Sequence, residues 1–358
     1  MTHTPREWLT AASLELAERG WLPDAVLRAG IRRLVRARLT SENARVGGDP
    51  TRAEAEFSAC LAASPIALVP EKANEQHYEV PPEFFRAVLG PRLKYSCAHF
   101  ATPDTSLGEA EEQSLSLVCE RAELRDGMRI LDLGCGWGSL SLFAAERFPS
   151  ARVVAVSNSK PQREHVLGEC ARRGIDRIEV VTANVSHFEP AGRFDRVVSV
   201  EMFEHARNWD ALLARIARWL SPGGKLFAHV FCHRELAYPF DARGSDDWMA
   251  RHFFSGGMMP SASLIRRFAG ALQVDAEWRI SGTHYARTAE AWLDNLDRDP
   301  DTVLRTLRAG SSDREALRAL RRWRLFFLAV AELFATGGGA EWMVAQYLLS
   351  PAARTAAR

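Results

Sequence analysis

Hydrophobic residues recur at two different spacings along the chain, and the change of spacing divides it into three segments. Over residues 5–63 and 284–335, apolar side chains return every three to four positions, which is typical of helices that bury one face. Between residues 109 and 280, short runs of strand-forming residues alternate with helical stretches. The alternation predicts an α/β fold with a doubly wound, mostly parallel sheet. We therefore expect a helical N-terminal and cap segment (1–108), an α/β core (109–283) and a helical substrate-pocket segment with a final strand (284–358).

Most strands of the core can be placed from runs of Val, Ile and Leu. The predicted strands cover residues 128–133, 152–156, 178–182, 196–200 and 225–231, with a last strand at 342–349. Helices are predicted at 109–124 and 140–147, in the stretch that ends at residue 173, and at 211–220. Residues 64–108 are irregular and rich in Pro and aromatic residues, so we interpret them as a segment that covers the site.

Composition and charge exclude several classes of protein. The 358 residues are 47% hydrophobic, which allows a sizeable core, and their formal net charge of +1 gives no general attraction to nucleic acid. The six cysteines show no CxxC spacing, so we expect reduced thiols and no metal site. The N-terminus lacks an apolar signal core, and no apolar run approaches the roughly 20 residues that span a bilayer. A soluble, cytoplasmic protein is the expectation.

A glycine-rich loop follows the first predicted strand. It reads Asp132-Leu133-Gly134-Cys135-Gly136-Trp137-Gly138, and its glycines let the backbone turn tightly and approach a ligand closely. The GxGxG spacing differs from the GxGxxG of dinucleotide sites, and the second strand ends in Ser157-Asn158-Ser159, without an acid to bind a ribose. The pattern disfavours a nicotinamide cofactor and favours S-adenosyl-L-methionine (S-adenosylmethionine), for which an acid such as Asp132 before the first glycine is typical. A purely structural turn is the weaker alternative.

Three ionisable side chains follow the fourth predicted strand: Glu201, Glu204 and His205. Ligands of open parallel sheets bind beyond the carboxyl ends of the strands. If the chain turns helical here, these positions share one face, and the two carboxylates and the imidazole would point into one pocket suited to acid–base chemistry. The alternative is a capped helix start with solvated charges. The glycine loop favours the catalytic interpretation, because it places a cofactor at the same sheet edge.

Several short motifs, taken together, resemble those of a known family. They are Tyr95-Ser96-Cys97-Ala98, Leu131 to Gly138, Asn158-Ser159 with Gln162, Met202-Phe203-Glu204-His205, Pro260-Ser261-Ala262-Ser263, His284-Tyr285-Ala286-Arg287-Thr288 with Trp292, and Glu341-Trp342-Met343. Over about residues 20–350 the chain resembles S-adenosylmethionine-dependent methyltransferases of the cyclopropane-fatty-acid synthase superfamily, most of all the coclaurine N-methyltransferase type. The resemblance implies a class I methyltransferase fold, which is Rossmann-like with a seven-stranded sheet, and it suggests a homodimer.

The resemblance also implies which residues hold the cofactor. Tyr95 and Ser96 would close over its methionine part. Asn184, which stands where the family usually has Asp, would contact the adenine through its amide oxygen. Together with the glycine loop, the expected cofactor residues are Tyr95, Ser96, Asp132, Gly134, Gly136, Gly138, Ser157, Asn158, Gln162 and Asn184.

One position separates the subfamilies that the chain resembles. Cyclopropane synthases have Gly directly before the Met-Phe-Glu-His motif, whereas this chain has Glu201 there, as the N-methyltransferases do. The resemblance makes Glu201 and His205 the pair that handles an amine and its proton, with Glu204 as a group that orients His205 or adds negative charge. The bicarbonate site of the synthases would map to Cys97, Glu204 and His229, which are all present, so the synthase interpretation stays open.

Aromatic residues favour an apolar or aromatic substrate, although core packing is the ordinary alternative for each of them. The leading hypothesis is methyl transfer from S-adenosylmethionine to the nitrogen of a small apolar or aromatic amine. The alternatives are C-methylation or cyclopropanation of an unsaturated fatty acid or phospholipid, which would add membrane contact, and a cofactor-binding protein that has lost catalysis. The residues expected around the substrate are Tyr78, Cys97, His229, Phe231, Tyr238, Trp323 and Phe327.

Overall fold

The computed structural model describes residues 5–67, 80–240, 248–268, 270–309 and 311–352, with side chains from residue 12 onward. Four helices come first: α1 (Pro5–Glu18), α2 (Asp24–Val46), α3 (Pro50–Ala62) and α4 (Pro82–Val88). The core then runs through α5 (Leu107–Arg121), β1 (Arg129–Leu133), α6 (Ser139–Arg147), β2 (Arg152–Ser157), α7 (Lys160–Arg173), β3 (Ile178–Thr182), β4 (Phe194–Val200), α8 (Trp209–Trp219) and β5 (Leu220–His233). The remaining elements are β6 (Tyr238–Pro239), α9 (Trp248–His252), β7 (Met258–Met259), β8 (Leu272–Ile280), α10 (Gly282–Arg298), α11 (Pro300–Leu307), α12 (Asp313–Ala335) and β9 (Trp342–Pro351).

The central sheet has seven strands in the order β3-β2-β1-β4-β5-β9-β8. Strands β1 to β5 are parallel, and β9 runs antiparallel to its neighbours β5 and β8. The strand order reverses between β1 and β4, so the loops after these two strands border the same crevice. The predicted doubly wound, mostly parallel sheet is confirmed, and it brings the glycine loop after β1 close to Glu201 after β4.

The predicted elements agree with the structure in the core, and the elements missing from the prediction are β8, α4 and the short β6, α9 and β7. The five core strands, the last strand and the core helices are confirmed, although their ends shift by a few residues. Strand β8 is absent from the prediction, even though Leu272 to Ile280 alternate between apolar and polar side chains. Residues 64–108, which we expected to be irregular, contain helix α4.

A layer of helices faces the crevice at the carboxyl ends of the strands. Ion pairs join three of these helices: Arg28 on α2 donates to Glu290 on α10 at 2.7 Å and to Glu332 on α12 at 3.1 Å. Arg324 on α12 likewise binds Asp24 on α2 at 2.7 Å. The N-terminal and C-terminal helices therefore pack as one layer over the sheet edge. None of the helices in the described ranges has an apolar stretch long enough to span a bilayer.

The packing of α10 against β9 depends on Gly282. A methyl group at this position would overlap the carbonyl oxygens of Phe334 and Trp342. We expect Gly282→Ala to lower the free energy of unfolding by about 1–3 kcal/mol, because the helix that carries Tyr285 would have to move away from the sheet. Urea denaturation measures the change.

A matched control is available on an exposed helix. Gly168 on α7 has no atom within 4 Å of the position that a methyl group would take. Gly168→Ala should leave stability unchanged or raise it by up to about 1 kcal/mol, since alanine is the better helix former. Equal losses of stability in the two variants would contradict the close packing at Gly282.

Candidate active site

The loop after β1 is shaped by its glycines. Gly134 and Gly136 have φ angles of 89° and 54°, in the left-handed region that favours glycine. A methyl group on Gly134 would lie 2.8 Å from Cγ of Met202, whereas the space beside Gly136 is open to at least 4 Å. The loop therefore turns tightly against the segment that follows β4, and at Gly136 it leaves room for a ligand to approach the backbone.

Two adjoining clefts open beside this loop. They share Gly134, Gly136, Gln162 and Glu201, so a single extended ligand can occupy both. One cleft continues past the ends of β2 and β3, and the other lies beside the segment that contains Tyr95. The expected cofactor residues that line the clefts are Tyr95, Ser96, Asp132, Gly134, Gly136, Ser157, Asn158, Gln162 and Asn184.

Two residues of the loop also support its structure. Gly138, the remaining expected cofactor residue, has a φ of 79° at the start of α6, and a methyl group there would lie 2.7 Å from Cγ2 of Val166 on α7. Asp132 is buried, and its Oδ2 accepts a 2.6 Å hydrogen bond from Ser141. Burial raises the pKa of Asp132 to about 6. Gly138 therefore allows two helices to pack closely, and Asp132 anchors the loop to α6.

The polar groups of the clefts suit a nucleoside without a diphosphate. Ser157 donates to Oε1 of Gln162 at 2.6 Å, which leaves the NH2 group of Gln162 as a donor. Oδ1 of Asn184 accepts the N–H of Ser186 at 2.8 Å and has a second lone pair for an adenine amino group. In the cleft past β2 and β3, the described lining includes no lysine or arginine that would bind a diphosphate. These hydroxyl and amide groups fit the ribose and adenine of the expected cofactor.

Glu201 lines both clefts and also a third, larger cavity. Its φ of 50° is in the left-handed region, which costs a non-glycine residue about 1–3 kcal/mol. Three donors hold its carboxylate. The Cys97 N–H donates to Oε1 at 2.9 Å, Nε2 of His229 lies 3.2 Å from the same oxygen, and the Tyr285 hydroxyl donates to Oε2 at 2.6 Å. These hydrogen bonds stabilise the strained conformation.

The buried carboxylate of Glu201 stays ionised. Burial alone would raise its pKa, but the interaction with His229, the charge of Lys94 and the hydrogen bond from Tyr285 together outweigh burial and lower the pKa below its ordinary value. Lys94 is itself buried, and its Nζ donates to Oγ of Ser96 and to the carbonyl of Cys97, both at 2.6 Å. The lysine thus stabilises the charge of Glu201 and holds the turn that presents the Cys97 N–H.

Glu204 and His205 are adjacent in sequence but face different surroundings. With Phe203 they form a single 3-10 turn, which follows the left-handed backbone conformation of Glu201. His205 lines the large cavity and one cofactor cleft, and its ring stacks on Phe254 with centroids 5.8 Å apart. Glu204 is fully buried, and its Oε1 accepts the N–H of Phe231 at 2.5 Å. The expectation that all three ionisable side chains enter one pocket does not hold for Glu204, because no regular helix forms here.

Burial also decides the charge of these two residues. The pKa of Glu204 is raised well above its ordinary value, first by burial and then by the charge of Glu201, so Glu204 is a neutral acid. Burial lowers the pKa of His205 to about 4, so its imidazole is neutral at pH 7. Of the three ionisable groups, only Glu201 carries charge at neutral pH.

The large cavity lies between the sheet edge and the helical layer. Helices α2, α9, α10 and α12 all contribute to its wall, which is mostly apolar. The polar side chains of Glu201 and His205 lie where the cavity meets the cofactor clefts. Its aromatic lining consists of Tyr95, Phe231, Tyr238, Phe240, Trp248, Phe254, Tyr285, Trp292, Phe326 and Phe334.

The expected substrate residues occupy three kinds of position. Phe231 and Tyr238 line the cavity. Cys97 and His229 are buried behind it and contact the site through the carboxylate of Glu201. Tyr78 lies outside the described residues.

Trp323 and Phe327 pack behind the cavity wall. Both contact Phe326, which does line the cavity, with ring centroids 5.7 Å apart in each case. Trp323 also packs against Phe84, and Phe327 packs against the cavity-lining Trp292, at 4.8 Å and 5.7 Å between centroids. Phe327 directly follows Phe326 and points in a different direction, and Trp323, one turn earlier, is covered by Phe84 and Phe326. The expectation that Trp323 and Phe327 face the substrate is therefore corrected to Phe326.

Two residues with clear contacts in the site received no role in the sequence analysis. Tyr285 belongs to a motif that supports the resemblance, and its hydroxyl is the donor to Oε2 of Glu201. Lys94 directly precedes the Tyr95-Ser96 motif, and a cation next to that motif was the available signal. The arrangement as a whole joins a nucleoside-sized cleft to an apolar cavity through a carboxylate and a neutral imidazole, both of which can accept a hydrogen bond from an N–H group.

Comparison with known proteins points in the same direction. The family model described as mycolic acid cyclopropane synthetase matches residues 69–340. This chain is similar to the (S)-coclaurine N-methyltransferase of Thalictrum flavum subsp. glaucum, at 37% identity over 79% of this chain and 80% of that relative. Among solved structures it is similar to coclaurine N-methyltransferase bound to N-methylheliamine and SAH, with 35% identity, a TM-score of 0.91 and coverage of 95% of this chain and 99% of that one. The mycolic acid cyclopropane synthase CmaA1 complexed with SAH and CTAB is less similar, with 26% identity, a TM-score of 0.67 and coverage of 79% and 99%.

The fit of a nucleoside cofactor to the glycine loop can be tested at Gly134. We expect Gly134→Ala to weaken the binding of S-adenosylhomocysteine by at least about tenfold, because the added methyl group meets Met202 and a φ of 89° is unfavourable for alanine. Isothermal titration calorimetry measures the affinity. The matched control is Gly127→Ala, in an exposed turn with a φ of 77° and open space around it. It should show a similar backbone cost in thermal unfolding and an unchanged affinity, and loss of affinity in both variants would contradict the local explanation.

Proposed function

This chain belongs to the mycolic acid cyclopropane synthetase family and is an S-adenosylmethionine-dependent methyltransferase, and we propose that it methylates the nitrogen of an apolar, aromatic amine. The observation that carries the proposal is the position of Glu201, whose ionised carboxylate lines both the cofactor clefts and the large cavity. A carboxylate at this junction is suited to hold an amine. The relative named for coclaurine N-methylation and the structure that contains N-methylheliamine support an amine as the acceptor.

The hydrogen bonds of Glu201 limit how an amine can bind. A carboxylate has about four lone-pair sites, and Cys97, His229 and Tyr285 take three of them. One site on Oε2 is left for the substrate. A secondary amine in its free-base form has one N–H to donate and one lone pair to offer to the methyl group, so it satisfies the remaining site. A primary amine would bring a second N–H that needs another acceptor.

His205 provides a neutral imidazole beside the same nitrogen. Because its pKa is about 4, it does not hold a proton at neutral pH and cannot repel the positively charged methyl donor. The bound cofactor supplies an activated methyl group, and transfer requires the amine nitrogen in line with it at about 3–3.5 Å. Glu201 orients the N–H, which after transfer stays on the product ammonium and paired with the carboxylate. Since an imidazole with a pKa of about 4 is too weak a base to hold this proton, we propose that His205 passes it on to solvent. The apolar wall excludes water from this step.

The cavity surface explains why an aromatic amine is favoured over a small polar one. Rings from Phe231, Phe254, Phe326 and Phe334 line the cavity. Besides Glu201, the charged side chain in its described lining is Arg38. Aromatic faces also attract the positive charge that is on the nitrogen after transfer. An apolar ring system with one basic nitrogen therefore matches both the wall and the carboxylate.

Methylation of an unsaturated lipid is the second candidate, and the family match and the apolar cavity favour it. The resemblance implies that such chemistry would use a bicarbonate bound by Cys97, Glu204 and His229. In this chain Cys97 and His229 bind the carboxylate of Glu201 instead. The side chain of Glu201 thus takes the contacts that the bicarbonate would need, which makes the amine the better supported acceptor.

The role of Glu201 can be tested with a nearly isosteric substitution. We expect Glu201→Gln to lower kcat for N-methylation by between about tenfold and a hundredfold, because a charge-assisted hydrogen bond to the amine is lost. Mass spectrometry of a panel of secondary and primary aromatic amines with labelled methyl donor measures transfer, and calorimetry should show an S-adenosylhomocysteine affinity within about threefold of the parent. Glu179→Gln, which changes an exposed glutamate on β3, should leave both unchanged.

The same assay separates the two acceptors. Vesicles of unsaturated phospholipid should remain unlabelled by the parent enzyme. Methylated lipid together with an unlabelled amine panel would overturn the proposal, and so would full turnover by Glu201→Gln.

The pKa of His205 predicts the shape of the pH profile. Since this pKa is lowered to about 4, the imidazole is uncharged throughout the neutral range and its charge does not change there. We expect kcat/KM to rise with pH as the substrate amine loses its own proton, without an additional ionisation near the ordinary histidine value of about 6.5. His205→Gln should lower kcat but leave the shape of the profile unchanged. An ionisation near 6.5 that disappears in His205→Gln would contradict the neutral imidazole.

A further inference from the structure

A line of polar side chains crosses the sheet next to Glu201. His229 on β5 pairs in register with Val200, which precedes Glu201, and with Gln346 on β9. Nη1 of Arg121, at the end of α5, lies 2.6 Å from Oε1 of Gln346. Nε2 of Gln346 lies 2.9 Å from Nδ1 of His229, and Nε2 of His229 lies 3.2 Å from Oε1 of Glu201. Gln346 and His229 are each 1% exposed, so water is excluded from the middle of this line.

The chemistry of the two ends fixes the direction of every hydrogen bond. Arginine can only donate, so the amide oxygen of Gln346 faces Arg121 and its NH2 group faces His229. Nδ1 of His229 must then accept, which places the ring proton on Nε2. An ionised carboxylate can only accept, and Nε2 of His229 donates to Glu201. The four groups therefore form one chain of donors that ends on the carboxylate of Glu201.

Resting on the proposed function, we propose that Gln346 and Arg121 are positioning residues for methyl transfer. They hold His229 in the tautomer that donates to Oε1 of Glu201, and this leaves the remaining lone pair on Oε2 for the substrate amine. Neither residue lines the large cavity or the cofactor clefts among the described residues, so both act through His229.

The surroundings of His229 support this arrangement. The charged groups that act on its ring are Glu201, Lys94 and Arg121, and burial lowers its pKa, so the ring is neutral and has a single proton to place. Arg121 is held in turn by Trp278, with its guanidinium carbon 5.2 Å from the ring centroid. If the ring proton moved to Nδ1, a lone pair of His229 would face the carboxylate of Glu201, and the two acceptors would repel each other.

The tautomer can be measured without reference to activity. In protein labelled with 15N-histidine, the ring signals of His229 should show a protonated Nε2 and an unprotonated Nδ1, with the assignment made by their loss in His229→Gln. We expect Gln346→Glu to add a proton to Nδ1, because a carboxylate in place of the amide requires a donor there. Arg121→Met should give a mixture of tautomers, because the amide of Gln346 is then free to rotate. The control Arg125→Met, an exposed arginine four residues further on, should match the parent.

The kinetic consequences differ between two substitutions of similar size. We expect Gln346→Met to lower kcat about tenfold at every pH, which corresponds to the loss of about one hydrogen bond. Gln346→Glu should instead add an ionisation to the pH profile in the range where histidines titrate, because His229 would lie between two carboxylates. Thermal unfolding and S-adenosylhomocysteine affinity report whether each variant is folded. If the variants at the buried Gln346 do not fold, Arg121→Met tests the positioning role in their place. A residue that only packs in the core would not change the pH profile.

The spectra and the kinetics separate this proposal from the proposed function. A parent protein that methylates no amine but shows the Nε2 tautomer, with the expected change in Gln346→Glu, would overturn the N-methyltransferase proposal and leave the hydrogen-bonded chain intact. A parent spectrum with the proton on Nδ1 would overturn the positioning role. Parent-like kcat and pH profiles in Gln346→Met, Gln346→Glu and Arg121→Met would also overturn it.

Discussion

The site depends on one buried carboxylate in an unfavourable backbone conformation. Glu201 adopts a φ of 50° directly after β4, and its carboxylate accepts hydrogen bonds from Cys97, His229 and Tyr285. The backbone strain of about 1–3 kcal/mol persists only where surrounding contacts determine the conformation. This conformation has a functional consequence. The left-handed backbone at Glu201 turns the side chain towards the junction between the cofactor clefts and the large cavity.

The origin of the three donors explains why the sheet needs its helical additions. His229 belongs to the α/β core, but Cys97 precedes it and Tyr285 follows it on α10. The carboxylate therefore has all three of its donors only when the segments on both sides of the core are docked on the sheet edge. The same helices enclose the apolar cavity, so the charge of the site and the exclusion of water from it are established together.

The parts of the structure that could be predicted are those with a regular period. Alternating strands and helices predicted the sheet and the crevice, and the GxGxG loop predicted the cleft beside it. Strand β8 was missed although its apolar and polar side chains alternate. On α12 the pattern does not separate Phe326, which faces the cavity, from its aromatic neighbour Phe327, which does not. The glycine that the synthases have at the position of Glu201 was a clue to a positive φ, since glycine favours that region. The expectation that Glu201 and Glu204 share one face was wrong because it assumed an α-helix. The chain instead forms a 3-10 turn after a left-handed residue, which directs the two side chains differently.

Glu201 and Glu204 are three residues apart, yet the carboxyl group of Glu201 is ionised and that of Glu204 is neutral. Their hydrogen bonds and neighbouring charges explain the difference. Both are buried, which disfavours the charged form of each. Glu201 gains three donors and the nearby charge of Lys94, whereas Glu204 gains the N–H of Phe231 and faces the charge of Glu201. Oε2 of Glu204 has no hydrogen-bond partner among the described residues, which is consistent with a neutral acid in this place.

A second charged carboxylate at the site would bind an amine as an ammonium ion and hide the lone pair that must attack. Keeping the charge on Glu201 alone, with one lone pair open and a neutral His205 beside it, lets the amine bind through one N–H while its own lone pair remains available for the methyl group.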